Sequence, residues 1–129
     1  MQDILVPVSP GELLDKITIL RIKSTRMTDP VKLANVRHEL AVLEETWVRS
    51  GGAGVDAEID ALTKVNARLW DIEDKIRDKE REQAFDEAFI ALARSVYVEN
   101  DERAAIKKRI NSRLGSRIVE EKSYRDYRR

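Results

Sequence analysis

Apolar residues recur at intervals of three and four along almost the whole chain and nowhere alternate over a strand's length, so only helices can bury them together. The pattern is clearest in Leu33, Val36, Leu40, Leu43 and Trp47, and again in Leu62, Val65, Leu69, Ile72 and Ile76. A third run holds Phe85, Phe89, Leu92 and Val96, followed by Ile106, Ile110 and Leu114. Start and stop signals divide these runs. Ser9-Pro10-Gly11-Glu12 supplies a capping hydroxyl, a proline at the first helical position and an acid in the first turn, predicting a helix from about residue 10 to 27. Thr28-Asp29-Pro30 starts another at once, so the first two helices are predicted to pack antiparallel, the second over about 30–49.

Ser50-Gly51-Gly52-Ala53-Gly54 holds three of the five glycines and predicts a turn. It is no phosphate-cradling loop, because it lies between helices and lacks the Gly-Lys-Ser/Thr run. Asp56 is the expected cap of a third helix reaching about residue 82. The fourth helix either continues through Tyr97–Asp101 or gives way there to a fifth capped by Asn100, with Gly115 as the final stop. Residues 1–8 read as an extended arm, and residues 116–129, which have no period, as a mobile tail or a strap over the bundle. The expected fold is therefore all-α: one domain over residues 1–129, an antiparallel, coiled-coil-like bundle of four to five helices with a short extended N-terminal arm and an irregular C-terminal tail.

Composition removes several chemistries. Without cysteine there are no disulfides, thiol nucleophiles or thiolate metal sites, and His38 alone cannot anchor a metal, so neither metal nor cofactor is expected. His38 also falls on the polar back of its helix. No paired carboxylates or catalytic triad can be argued, so no catalytic residue is assigned. Lysine plus arginine balance aspartate plus glutamate at 24 each, no 18-residue apolar stretch exists, and the N-terminus opens with an acid, Asp3. These features predict a cytoplasmic protein without a membrane partner. The balance is uneven along the chain: residues 1–55 carry 7 acids and 7 bases, residues 56–102 carry 14 and 7, and residues 103–129 carry 3 and 10. The expected reason is that the basic last segment lies against the acidic middle one. Nucleic acid is not expected as a partner, although Arg113, Arg117, Arg125, Arg128 and Arg129 are interleaved with Tyr124 and Tyr127, because the chain is not basic overall and carries no nucleic-acid-binding signature.

Four polar residues fall inside apolar arcs and form the candidate ligand-binding set. Arg21 lies between Leu14 and Ile17 around the first helix, Glu73 beside Leu62 on the third, and Asn100 and Arg103 share the arc of Phe89 and Val96 if the fourth helix continues. Buried charges need partners. Three arrangements meet that need: an internal network in which Glu73 accepts from Arg21 or Arg103, a pocket in which two guanidiniums grip a small anion, or side chains that snorkel to solvent. The network reading expects Glu73→Gln to lower stability by roughly 1 to 4 kcal/mol. Ile19 and Ile22 project from the opposite side of the first helix, which makes that helix either central in the bundle or half of an oligomer interface; self-association through it is the expectation. Trp47 and Trp70 flank the core stripes and read as core or boundary residues.

The phrases Pro7 to Leu20 (PVSPGELLDKITIL), Lys32 to Val36 (KLANV), Leu69 to Asp74 (LWDIED), Ala93 to Tyr97 (ARSVY), Asn100-Asp101 and Glu120 to Tyr124 (EEKSY) resemble a small bacterial family known only as a domain of unknown function. The resemblance spans nearly the whole chain and transfers no functional residue. It implies a setting near glycosyltransferase and surface-polysaccharide genes. The chain is also similar in architecture to the all-helical chorismate mutases, which hold a dianion with inward basic side chains; Arg21, Glu73 and Arg103 are the comparable set, and no motif of those enzymes is matched. The function expected from the sequence is a non-enzymatic helical interaction or accessory module, forming a homo-oligomer or binding a protein partner. The alternative is a small enzyme or sensor for an anionic metabolite held by Arg21 and Arg103 with Glu73.

Overall fold

The computed structural model describes all 129 residues and contains four helices and no strand. They are α1 (Pro10–Arg26), α2 (Pro30–Ser50), α3 (Asp56–Glu82) and α4 (Glu87–Arg113). Ser9 Oγ caps α1 by accepting from Glu12 N–H, and Asp29 caps α2 by accepting from Val31 and Lys32 N–H. Gly51 and Gly54 both hold positive φ in the α2–α3 turn, where a side chain would be strained. One expectation needs correction. Asp56 is the first residue of α3 rather than its cap, since Val55 precedes the helix without a side-chain cap bond. Of the two readings at Asn100 the continuous helix is the one that forms: α4 runs unbroken through it, because residues 87–113 contain no glycine or proline and the Asn100 side chain accepts from Arg103 instead of capping a new start.

α1 is the centre of the molecule. It packs against α2, α3 and α4, α3 packs against α4, and α2 touches only α1. Its buried residues Leu13, Leu14, Ile17 and Leu20 occupy one side, and Gly11, Asp15, Thr18 and Ile22 the other, so roughly two-thirds of its circumference is covered. The two-sided apolar character of the first helix fits its central position, with Ile22 buried within the monomer and Ile19 half-buried. The core joins Leu13, Leu14 and Ile17 to Val55, Leu62, Val65, Ile106 and Ile110, with Leu40, Leu43 and Trp47 of α2 laid against it.

α3 and α4 are antiparallel: Arg68 bridges Glu99 and Glu102, and at their far end Lys79 meets Asp86. Each has 27 residues against 17 in α1, about 40 Å against about 25 Å. The α3–α4 hairpin therefore projects beyond α1, past the level where Arg26 pairs with Asp71. Residues 1–8 form an exposed extended arm. The tail is a strap, tied to the helices by Glu120 and by Tyr127, whose ring lies 4.8 Å from that of Tyr97.

Candidate functional site

Asn66 falls on the apolar arc of α3 between Ile59 and Leu62, and there it is buried. A buried amide must spend its donors and acceptor inside the protein. Asn66 Nδ2 donates to Asp15 Oδ1 at 2.9 Å and to Thr18 Oγ1 at 3.0 Å, joining α3 to α1. Its Oδ1 accepts from Arg103 Nη1 at 3.2 Å, joining α3 to α4. The second arm of the guanidinium donates to Asn100 Oδ1 at 2.8 Å, and the Thr18 hydroxyl donates to the Asp15 carbonyl at 2.8 Å. This chain of bonds crosses three helices, and every fully buried side-chain polar atom in the molecule has a partner.

Beside it lies a groove of about 400 Å³ between α1, α3 and α4. Ile19, Leu69 and Trp70 are its apolar lining; Asn66, Asn100 and Arg103 meet at the level of Thr18, and Lys23, Glu73 and Asp74 complete the lining. Three of the four candidate residues from the sequence, Glu73, Asn100 and Arg103, are thus brought to one groove, and only Asn100 and Arg103 touch. Arg21 is elsewhere. It sits at the α1–α2 seam, 3.6 Å from Glu44, half in solvent because no third helix closes that side of α1. Glu73 is not buried either: it lines the open groove, and its carboxylate, 50% exposed, faces Arg77 at 3.7 Å one turn along the same helix. The proposed pairing of Glu73 with Arg21 or Arg103 does not form. Asp15, Thr18 and Asn66, which do carry the inward network, were missed. The signal was present, since Asp15 and Thr18 lie on the face of α1 that the misplaced Ile22 marks, and Asn66 lies on an arc as apolar as that of Glu73.

A second polar cluster closes the other end of α1. Gly11 N–H donates to Asn111 Oδ1 at 2.7 Å, and a Cβ at Gly11 would lie 2.7 Å from the Lys107 carbonyl, so glycine lets α1 and α4 approach. Lys107 meets Glu12 and, from the tail, Glu120. Burial alone would lower the affinity of the Lys107 ammonium for its proton, but hydrogen bonds to Glu12 and Glu120 outweigh it and hold the group above its ordinary value. Burial likewise pushes the Glu120 carboxyl upward, yet bonds from Ser9 Oγ at 2.6 Å and from Lys107 hold it below the usual range. Buried Glu58 accepts from Arg113 at 2.7 Å. That bond is the one ion pair joining the basic last segment to the acidic middle one. Of the remaining bridges of the acidic segment, that from Arg26 to Asp71 comes from the first segment and the others, from Arg68, Lys79 and Arg81 among them, are made within it, so ion pairs form mainly within segments and the opposite excess charges of the middle and last segments are not matched pair by pair.

His38 is exposed on α2. No group of three or more His, Cys, Asp or Glu side chains is placed to hold a metal ion, and no helix is long and apolar enough to cross a membrane. Among known proteins, a family model described as a family of unknown function (DUF6165) matches residues 4–127. No curated protein and no solved structure matches the chain.

Proposed function

We propose that this chain, which belongs to the DUF6165 family of unknown function, is a non-enzymatic helical interaction module that docks through the free half of the α3–α4 hairpin. The observation that carries the reading is the length mismatch. Beyond the level where Arg26, the last residue of α1, pairs with Asp71 no third helix covers the hairpin, and the residues that continue its apolar stripe, Ile72, Ile76, Phe89 and Leu92, are only half-buried. Phe85 and Ile90 are 53% and 54% exposed. A hairpin of two helices cannot bury such a stripe alone, whereas two hairpins packed together complete a four-helix bundle. The partner of first choice is accordingly a second copy of the chain. Assembly of surface polysaccharide as the cellular setting rests on the family resemblance alone.

Sedimentation velocity between about 5 and 500 µM tests this reading, a range chosen to bracket micromolar association. The wild type is expected to sediment increasingly as a dimer, and Phe85→Asp, at an exposed position on the stripe just before α4, to remain monomeric with an unchanged helix content. A wild type that stays monomeric throughout, or a Phe85→Asp variant that dimerises equally well, refutes docking of two copies through the hairpin.

A further inference from the structure

Only four of the 24 lysines and arginines are half-buried: Lys23, Lys79, Arg103 and Lys107. Lys79 has Asp86 and Lys107 has Glu12 and Glu120 as counter-ions. Lys23 and Arg103 have no carboxylate within ion-pair distance, and both line the same groove. Two of the guanidinium's donors are spent on the neutral amide oxygens of Asn66 and Asn100, which orient the fork without neutralising it. Asn66 is fixed in turn by Asp15 and Thr18, so the cation is held in place before anything arrives. A cation that has given up part of its hydration and received no opposite charge is an anion site awaiting its ligand.

We infer that this groove binds a small monocarboxylate whose far end carries hydrogen-bond donors, an ω-amino acid or a sugar acid in chemical class. The carboxylate seats on Arg103, while Lys23, five residues past Thr18 on α1, stands about 7.5 Å further along the groove. Ile19, Leu69 and Trp70 receive the body of the ligand, beside the Arg26 guanidinium that already lies over the Trp70 ring, 5.9 Å from its centroid. Glu73 lies seven residues beyond Asn66 along α3, roughly 10 Å along the axis, and with Asp74 it accepts the ammonium or hydroxyl donors at the other end. The same two carboxylates repel a second negative charge, which selects against dianions and phosphate. The volume of about 400 Å³ lies within the range of small-molecule sites. The site is independent of the hairpin tip and of the dimer proposed there.

Two-dimensional NMR titration of the full chain with 6-aminohexanoate, glucuronate, 6-aminohexanamide and inorganic phosphate reads the proposal directly. The two carboxylates are expected to shift the Trp70 indole N–H and the Arg103 Nε–H saturably at about millimolar concentration. The amide and phosphate are expected to bind at least about tenfold more weakly. Asn100→Asp places a carboxylate against the guanidinium and is expected to abolish the shifts without lowering the melting temperature, a readout free of folding loss. Silence with both carboxylates, tighter binding of phosphate, or undiminished binding by Asn100→Asp overturns the site.

Discussion

Replacing Asn66 with alanine tests the inward network at its centre. The substitution removes the two donors that reach Asp15 and Thr18 and the acceptor that receives Arg103. Each buried group left without a partner costs about 1 to 3 kcal/mol, and Asp15 is a buried acid for which Asn66 is the only side-chain donor. Allowing for partial relaxation, the sum is about 3 to 5 kcal/mol, the size of a broken buried pair. A chain of this length has an unfolding entropy near 0.27 kcal/mol/K, so the melting temperature should fall by roughly 10 to 20 °C. Chemical denaturation of Asn66→Ala, Asp15→Ala and the double variant separates the pair term from cavity effects. The expected coupling between the two sites is about 1.5 kcal/mol or more. A loss below about 1 kcal/mol for Asn66→Ala, or strictly additive single losses, would show that water replaces the amide at little cost and that the network does not hold the helices.

The residues first suspected from the sequence behave differently. Arg21→Ala and Glu73→Gln, both in exposed ion pairs, are each expected to change stability by less than about 0.5 kcal/mol in urea unfolding, and a loss above about 1 kcal/mol in either would restore them to the interior. Gly11→Ala forces α1 and α4 apart where a Cβ would lie 2.7 Å from a backbone carbonyl, and is expected to cost about 1 to 3 kcal/mol by the same assay. For the strap, the folded-state pKa of Glu120 lies below its ordinary value of 4.5, so its contribution is complete above pH 4.5 and lost as pH falls through the depressed value. Lys107 is shifted above 10.5, so its share is complete below that pH and lost only at still more alkaline pH. Contact between the Tyr97 and Tyr127 rings, followed by nuclear Overhauser effects, should therefore persist at neutral pH and disappear on acidification.

The helices were legible in the sequence because their information is local. Ser9 and Asp29 act as caps, Pro10 and Pro30 open helices, and the 3/4 spacing of α2 and α3 points to the faces that are covered. What could not be read was relative length in space. Glu73 and Asn66 lie on equally apolar arcs of α3, yet one is exposed and the other buried, because Asn66 is packed against Asp15 and Thr18 in the middle of α1 whereas Glu73 faces the open groove near that helix's end. A single helix's periodicity says which side turns inward but not how far its neighbour extends. Arg21 failed for a related reason: its arc is apolar, but α2 is the only helix on that side, so the seam stays open. Whether α4 continues past Asn100 is ambiguous in composition, and the structure settles it as continuous, with the Asn100 side chain accepting from Arg103.

The Arg103 guanidinium is held by two amides and makes no ion pair. Nitrogen-15 NMR of the arginine side chains in the unliganded protein measures this directly. Arg103 should show slowed rotation about its Cζ–N bonds, with separate Nη signals that collapse in Asn66→Ala, while an exposed arginine such as Arg49 gives one averaged signal. A single averaged Arg103 signal in the wild type would mean that the side chain moves freely in water, and that neither the network nor the groove is organised as described.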